Sequence, residues 1–138
     1  MDRKDFLKKG CSLCIGGSLF SLFLESCQSI PIYKTTIENK KLVVSLDHFK
    51  ENNFLIVRAS NVSFDIAIIK SSDVKYRSFL MVCTHADNPV RFNGKEFFCN
   101  LHGSIFNRNG EVEKGPAEKS LISLVTELAD NFLTIKLV

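Results

Sequence analysis

Phe79-Leu80-Met81-Val82-Cys83-Thr84-His85 and Phe97-Phe98-Cys99-Asn100-Leu101-His102-Gly103-Ser104 carry the same device twice. In each, an apolar run ends at a cysteine and a histidine follows two or three residues later. The chain has three histidines and five cysteines, and two of each fall in these stretches. Between His85 and Cys99 lie thirteen residues that include Asn93-Gly94, a pair favoured in type I′ hairpin turns because both central residues need positive φ. A hairpin there sets the two loops side by side, so that two thiolates and two imidazoles face one site. Asn109-Gly110, between Ser104-Ile105-Phe106 and Glu111-Val112, predicts a second hairpin on the same grounds.

Outward from these loops, residues 41–46, 54–58, 64–70, 79–83 and 131–138 are short apolar or β-branched runs. Clusters of Asn, Ser and Asp separate them, which is the pattern of an all-β domain. Only residues 120–129 hint at a helix, and Val125 and Thr126 weaken it. With 138 residues, 45% hydrophobic and 24% charged, the chain fits one globular domain with a modest core. That balance excludes a disordered or collagen-like chain. A net charge of +3 without a run of Lys and Arg excludes a nucleic-acid stripe. No paired carboxylates, nucleophile elbow or phosphate loop suggests a substrate site.

The first residues read as an address. Arg3, Lys4, Lys8 and Lys9 precede an uncharged 14-residue stretch, residues 11–24. That is the shape of an export signal and is short of the ~20 apolar residues a membrane span needs. Asp2-Arg3-Lys4-Asp5-Phe6-Leu7-Lys8 resembles the twin-arginine export motif, with Lys4 in place of the second arginine. Leu24-Glu25-Ser26-Cys27 resembles a bacterial lipobox, with Glu25 as the departure. The expected organisation is a signal peptide over 1–26, lipidation of Cys27, a tether over 27–36 and a folded domain over 37–138. Cys11 and Cys14 leave with the signal, and their C-x-x-C spacing reads as chance.

Two cysteines and two histidines suit a tetrahedral zinc ion. Zinc sites usually group Cys with Cys and His with His, whereas here the two alternate. Alternation suits a two-iron cluster in which each loop delivers one ligand to each iron. C-x-H followed by C-x-x-H resembles the ligand pattern of Rieske [2Fe–2S] proteins. His102-Gly103-Ser104 follows the second loop as in that family, Gly115-Pro116-Ala117 resembles its proline loop, and 131–135 its closing strand.

The resemblance covers residues 37–138. It implies an antiparallel β-sandwich with a cluster-binding subdomain formed by two loops and hairpins. It implies one [2Fe–2S] cluster, with Cys83 and Cys99 on the buried iron and His85 and His102 on the outer iron near solvent. The implied function is one-electron transfer, and the export signal with Cys27 sets it at the bacterial cell envelope, to or from a membrane or periplasmic redox protein. With neutral imidazoles replacing two thiolates, the cluster is neutral when oxidised and carries one negative charge when reduced, which raises its potential. Electron uptake is then coupled to proton uptake at alkaline pH.

Departures from the family narrow the role. Asn88 and Leu101 stand where members of cytochrome bc complexes have a disulfide, and Phe106 stands where those members have a tyrosine that donates to a ligand sulfur. Ser104 keeps the hydroxyl that in the family bonds a bridging sulfide, and Pro116 lies in the loop that packs over the cluster. Fewer donors to the sulfurs lower the potential. Each of the three also has a plain reading: Ser104 as a turn cap, Phe106 as core, Pro116 as a loop stiffener. His48, alone beside Asp47, reads as a surface histidine. Two further functions stay open: a ferredoxin-like component of a Rieske oxygenase system, and a zinc-stabilised binding domain.

Overall fold

Leu55-Ile56-Val57 and Ile66-Ala67-Ile68-Ile69 are buried at every position, so the strands they form must be covered on both faces. The computed structural model describes residues 29–137. Its elements are β1 (Ile32–Thr35), β2 (Lys41–Ser45), a 3-10 turn (Leu46–Phe49), β3 (Phe54–Ala59), β4 (Ile66–Ser72) and β5 (Lys75–Leu80), then β6 (Arg91–Phe92), β7 (Phe97–Phe98), β8 (Ile105–Phe106), β9 (Val112–Lys114), β10 (Ser123–Ala129) and β11 (Phe132–Lys136). A seven-stranded sheet runs β1-β3-β4-β5-β10-β11-β2, and a four-stranded sheet runs β6-β7-β8-β9. The all-β expectation holds.

Two cores share the β3–β4 layer. The start of β10 pairs with β5, as Ser123↔Phe79 and Leu124↔Ser78, and its remainder pairs with β11. The large sheet thereby curls over itself, and Leu42, Val44, Leu133 and Ile135 pack on Leu55, Val57, Ile66 and Ile68. On the opposite face Ile56, Ala67 and Ile69 join Phe79, Phe92, Phe97 and Phe106 in a second core. Burying a side chain of this size stabilises by about 1.5–3 kcal/mol, so both layers hold the central strands in place.

Three expectations are corrected. Residues 120–129 contain a strand, not a helix: Val125 and Thr126 are good strand formers, β5 and β11 offer edges, and Thr126 Oγ1 donates to the buried Ser78 hydroxyl at 2.8 Å. Residues 32–35, expected in the tether, form β1. Its pairing with β3 is parallel, Ile32↔Ile56 through Thr35↔Ala59, beside the antiparallel pairs that make up the rest of the sandwich. Without β1, β3 would present an open edge.

Neither Asn-Gly pair forms a type I′ turn, because Asn93 and Asn109 lack the positive φ it needs. In the first, Asn93↔Glu96 closes around Gly94-Lys95, with Asn93 N–H donating to the Glu96 carbonyl. Positive φ at the first central residue alone, +94° at Gly94, is the type II′ pattern. The shift pairs Phe92 with Phe97, their rings 4.5 Å apart, and burial of that pair sets the register. In the second, Asn107 N–H donates to the Glu111 carbonyl around a three-residue loop ending in Gly110 at φ +80°, the bulged form of hairpin loop.

A Cβ at Gly110 would lie 2.7 Å from the Phe79 ring, on a backbone that already disfavours L residues. Gly110→Ala is therefore expected to destabilise by about 2–4 kcal/mol, the sum of positive-φ strain and overpacking. Urea unfolding checks it, and a loss below about 1 kcal/mol would contradict the packing described.

Candidate metal centre

The two loops have the same backbone frame. In the first, Cys83 N–H donates to the Asn88 carbonyl (2.7 Å) and Asp87 N–H to the Cys83 carbonyl (2.9 Å). In the second, Cys99 N–H donates to the Ser104 carbonyl (2.9 Å) and Gly103 N–H to the Cys99 carbonyl (3.0 Å). Each is thus a tight turn closed at its fourth and fifth residues, and each fourth residue has positive φ, +50° at Asp87 and +80° at Gly103. Asn88 Nδ2 also donates to the Ala86 carbonyl at 2.8 Å, bracing the first loop from within. The first loop follows β5 through Met81, whose N–H donates to the Asp65 carbonyl, and the second follows β7.

This frame separates the two kinds of side chain. Cys83 and Cys99 are 1% and 2% exposed, unbridged, and belong to the second core. His85 and His102 are exposed. Their Nδ1 atoms face each other at 3.2 Å with the rings nearly perpendicular, at 87°. Two nitrogens about 2.0–2.1 Å from one tetrahedral metal lie about 3.3–3.4 Å apart, so the imidazole pair has the spacing of two ligands to one ion. Among the described residues no three His, Cys, Asp or Glu side chains form a single metal-binding group. A buried pair and an exposed pair suit a group with two metal positions better than one tetrahedral zinc ion.

Ser104 is fully buried, and its Oγ accepts the Ala117 N–H at 3.0 Å. Among the described residues its own hydroxyl hydrogen has no acceptor, which fits a neighbouring anionic sulfur. Thr84 Oγ1 donates to the Lys119 carbonyl at 2.5 Å. The 115–119 loop, with a cis Gly115-Pro116 bond, is thereby tied to both Cys/His loops. Pro116 is exposed and shares a shallow cavity with Thr84, His85, Glu118 and Lys119. Phe106 is fully buried in the second core and offers no donor.

The structure thus brings Cys83, His85, Cys99, His102 and Ser104 into one region, with Pro116 at its edge. His48 lies elsewhere, its ring against Tyr33 at 4.7 Å. Cys27 lies outside the described residues. Sequence reasoning missed the bracing by Thr84 and Asn88, because nothing in the sequence pairs Thr84 with a carbonyl 35 residues away. At the 3-10 turn, Lys50 beside Asp47 holds the Asp47 carboxyl below its usual value.

A family model described as the Rieske [2Fe-2S] domain matches residues 39–128. The cytochrome b6-f complex iron-sulfur subunit of Trichodesmium erythraeum (strain IMS101) is 41% identical over 54 residues, covering 38% of this chain and 30% of that relative. The large oxygenase component of the naphthalene 1,2-dioxygenase system of Pseudomonas fluorescens is 38% identical over 61 residues, covering 41% of this chain and 14% of that relative. This chain therefore spans less than a third of either protein. The cyanobacterial plasma membrane Rieske protein PetC3 from Synechocystis PCC 6803 superimposes with a TM-score of 0.56 at 22% identity, over 67% of this chain and 95% of that one. That is a likeness of fold.

Ser104→Ala leaves the Ala117 N–H without its acceptor, so a destabilisation of about 1–3 kcal/mol is expected. Thermal unfolding of the variant checks it, and an unchanged transition would contradict the bond's role in holding the 115–119 loop.

Proposed function

The chain belongs to the Rieske [2Fe-2S] family and acts as an electron-transfer domain with a [2Fe–2S] cluster, and from that premise we propose which residues hold the cluster and where the protein works. Cys83 and Cys99 are the ligands of the inner iron, and His85 and His102 those of the outer iron. The observation that carries this assignment is the exposed imidazole pair with Nδ1 atoms 3.2 Å apart, above two buried thiols.

The bound cluster supplies a couple that takes up and returns one electron. The buried cysteines would hold its inner side in the apolar core and away from water. The exposed imidazoles would form the edge through which a partner makes electronic contact. Ser104, whose Oγ accepts the Ala117 N–H, would have its hydroxyl hydrogen to give to a sulfur, and the loop it anchors would limit water at the site. Phe106 supplies no second donor, which favours the oxidised, less negative state.

The protein is an exported carrier of the bacterial cell envelope, lipid-anchored at Cys27, that exchanges electrons with a membrane or periplasmic redox protein. The charge pattern of residues 1–26 and the lipobox-like Leu24-Glu25-Ser26-Cys27 support this reading. The likeness to a cytochrome b6-f iron-sulfur subunit agrees with a membrane setting. A second reading, a ferredoxin-like component of an oxygenase system, draws on the match to an oxygenase component and on Phe106. A cytoplasmic location of the full chain would favour it.

His102→Ala is expected to abolish the EPR signal of the reduced cluster, and an unchanged signal would show the ligands to be misassigned. The reduction potential should lie below the top of the Rieske range of about −150 to +300 mV. Phe106→Tyr should raise it by adding a donor, whereas a value at the top of the range, or a fall in the variant, would contradict the argument from sulfur donors. Cys27→Ala should move the full chain from the membrane fraction to the soluble fraction, and retention on washed membranes would refute anchoring at Cys27.

A further inference from the structure

Resting on the anchoring proposed above, we infer that the domain stands on the membrane with its imidazole tip turned away. Its redox partner is then a water-exposed redox protein rather than a quinol dissolved in the bilayer. The first observation is how early the chain enters the fold. The Pro31 carbonyl already accepts the Ile56 N–H at 3.0 Å, and β1 begins at the next residue. Three residues separate Cys27 from Pro31, four steps that reach at most about 14 Å even when extended.

The second observation is direction. β1 runs parallel to β3, toward the end of the layer from which Met81 leads into the Cys83 loop. The chain upstream of β1 therefore leaves at the opposite end. Ile30 lines a groove that runs from Phe92 and Asn93, at the turn of the β6–β7 hairpin, to Pro89 and Phe98 beside the ligand loops. Arg108 fixes that turn to the start of β3 through the Gly94 carbonyl (2.5 Å) and the Asn53 carbonyl (3.0 Å). Cys99 and the imidazoles sit at the other end of the same hairpin. Ile32 enters opposite Ile56, so residues 29–31 continue past the start of β3 and away from the tip, and the tether is too short to turn the domain over. At the tip the imidazoles of His85 and His102 meet, and Leu101, next to His102 in the second loop, is 60% exposed. A small apolar face with two imidazoles fits a complementary protein surface.

The test uses the full chain in bacterial membranes and reads microwave-power saturation of its reduced cluster. Relaxation is compared between a water-soluble nickel chelate and a nickel-chelating lipid. The water-soluble chelate is expected to speed relaxation several-fold more than the lipid. Inserting about a dozen Gly/Ser residues after Ser29 adds about 19 Å of reach and should narrow that difference. Equal effects of the two probes on the native chain, or a difference unchanged by the longer tether, would overturn the orientation while leaving the anchor intact. A native chain recovered in the soluble fraction would overturn the anchor and the orientation together.

Discussion

A strand pair with apolar side chains on both faces needs two partners, and β3 and β4 have them. One face is covered by β2 and β11 through Leu42, Val44, Leu133 and Ile135, and the other by the phenylalanines of the small sheet. The small sheet has strands of only two or three residues, too short to stand alone in water. It holds its shape because Phe92, Phe97 and Phe106 are pressed onto Ile56, Ala67 and Ile69. The cysteines are part of that same core, so the packing that stabilises the fold also sets the spacing of the loops.

Loop geometry then separates the four candidate ligands. Each turn buries its cysteine and turns its histidine outward, with the histidine placed two residues on in one loop and three in the other. In place of a disulfide between Asn88 and Leu101, the loops are held by single hydrogen bonds, Asn88 to the Ala86 carbonyl, Thr84 to the Lys119 carbonyl and Ala117 N–H to Ser104. Such bonds are each worth about 1 kcal/mol, so the site depends on several weak ties and on the core beneath it.

The candidate site was legible because its chemistry is local. Cys83, His85, Cys99 and His102 are spaced by turn geometry, and an apolar run marks where each turn begins. The central strands were legible for the same reason, since Leu55-Ile56-Val57 and Ile66-Ala67-Ile68-Ile69 leave no face for water. What depended on distant partners was not legible. Residues 120–129 carry a weak local preference that the edges of β5 and β11 override. The Asn93-Gly94 turn moved by one residue because pairing Phe92 with Phe97 outweighs the preference of the turn. β1 was hidden in an expected tether, as four residues of mixed polarity give little signal until β3 offers an edge to pair with.

The claim on which the rest turns is that one chain holds two chemically different irons, one on buried thiolates and one on exposed imidazoles. Mössbauer spectroscopy of the iron-57-enriched protein measures this directly. The account predicts two quadrupole doublets of equal area in the oxidised state, with only one of them changing to ferrous character on reduction. A single doublet from equivalent irons, or a protein that holds zinc and no iron pair, would contradict it.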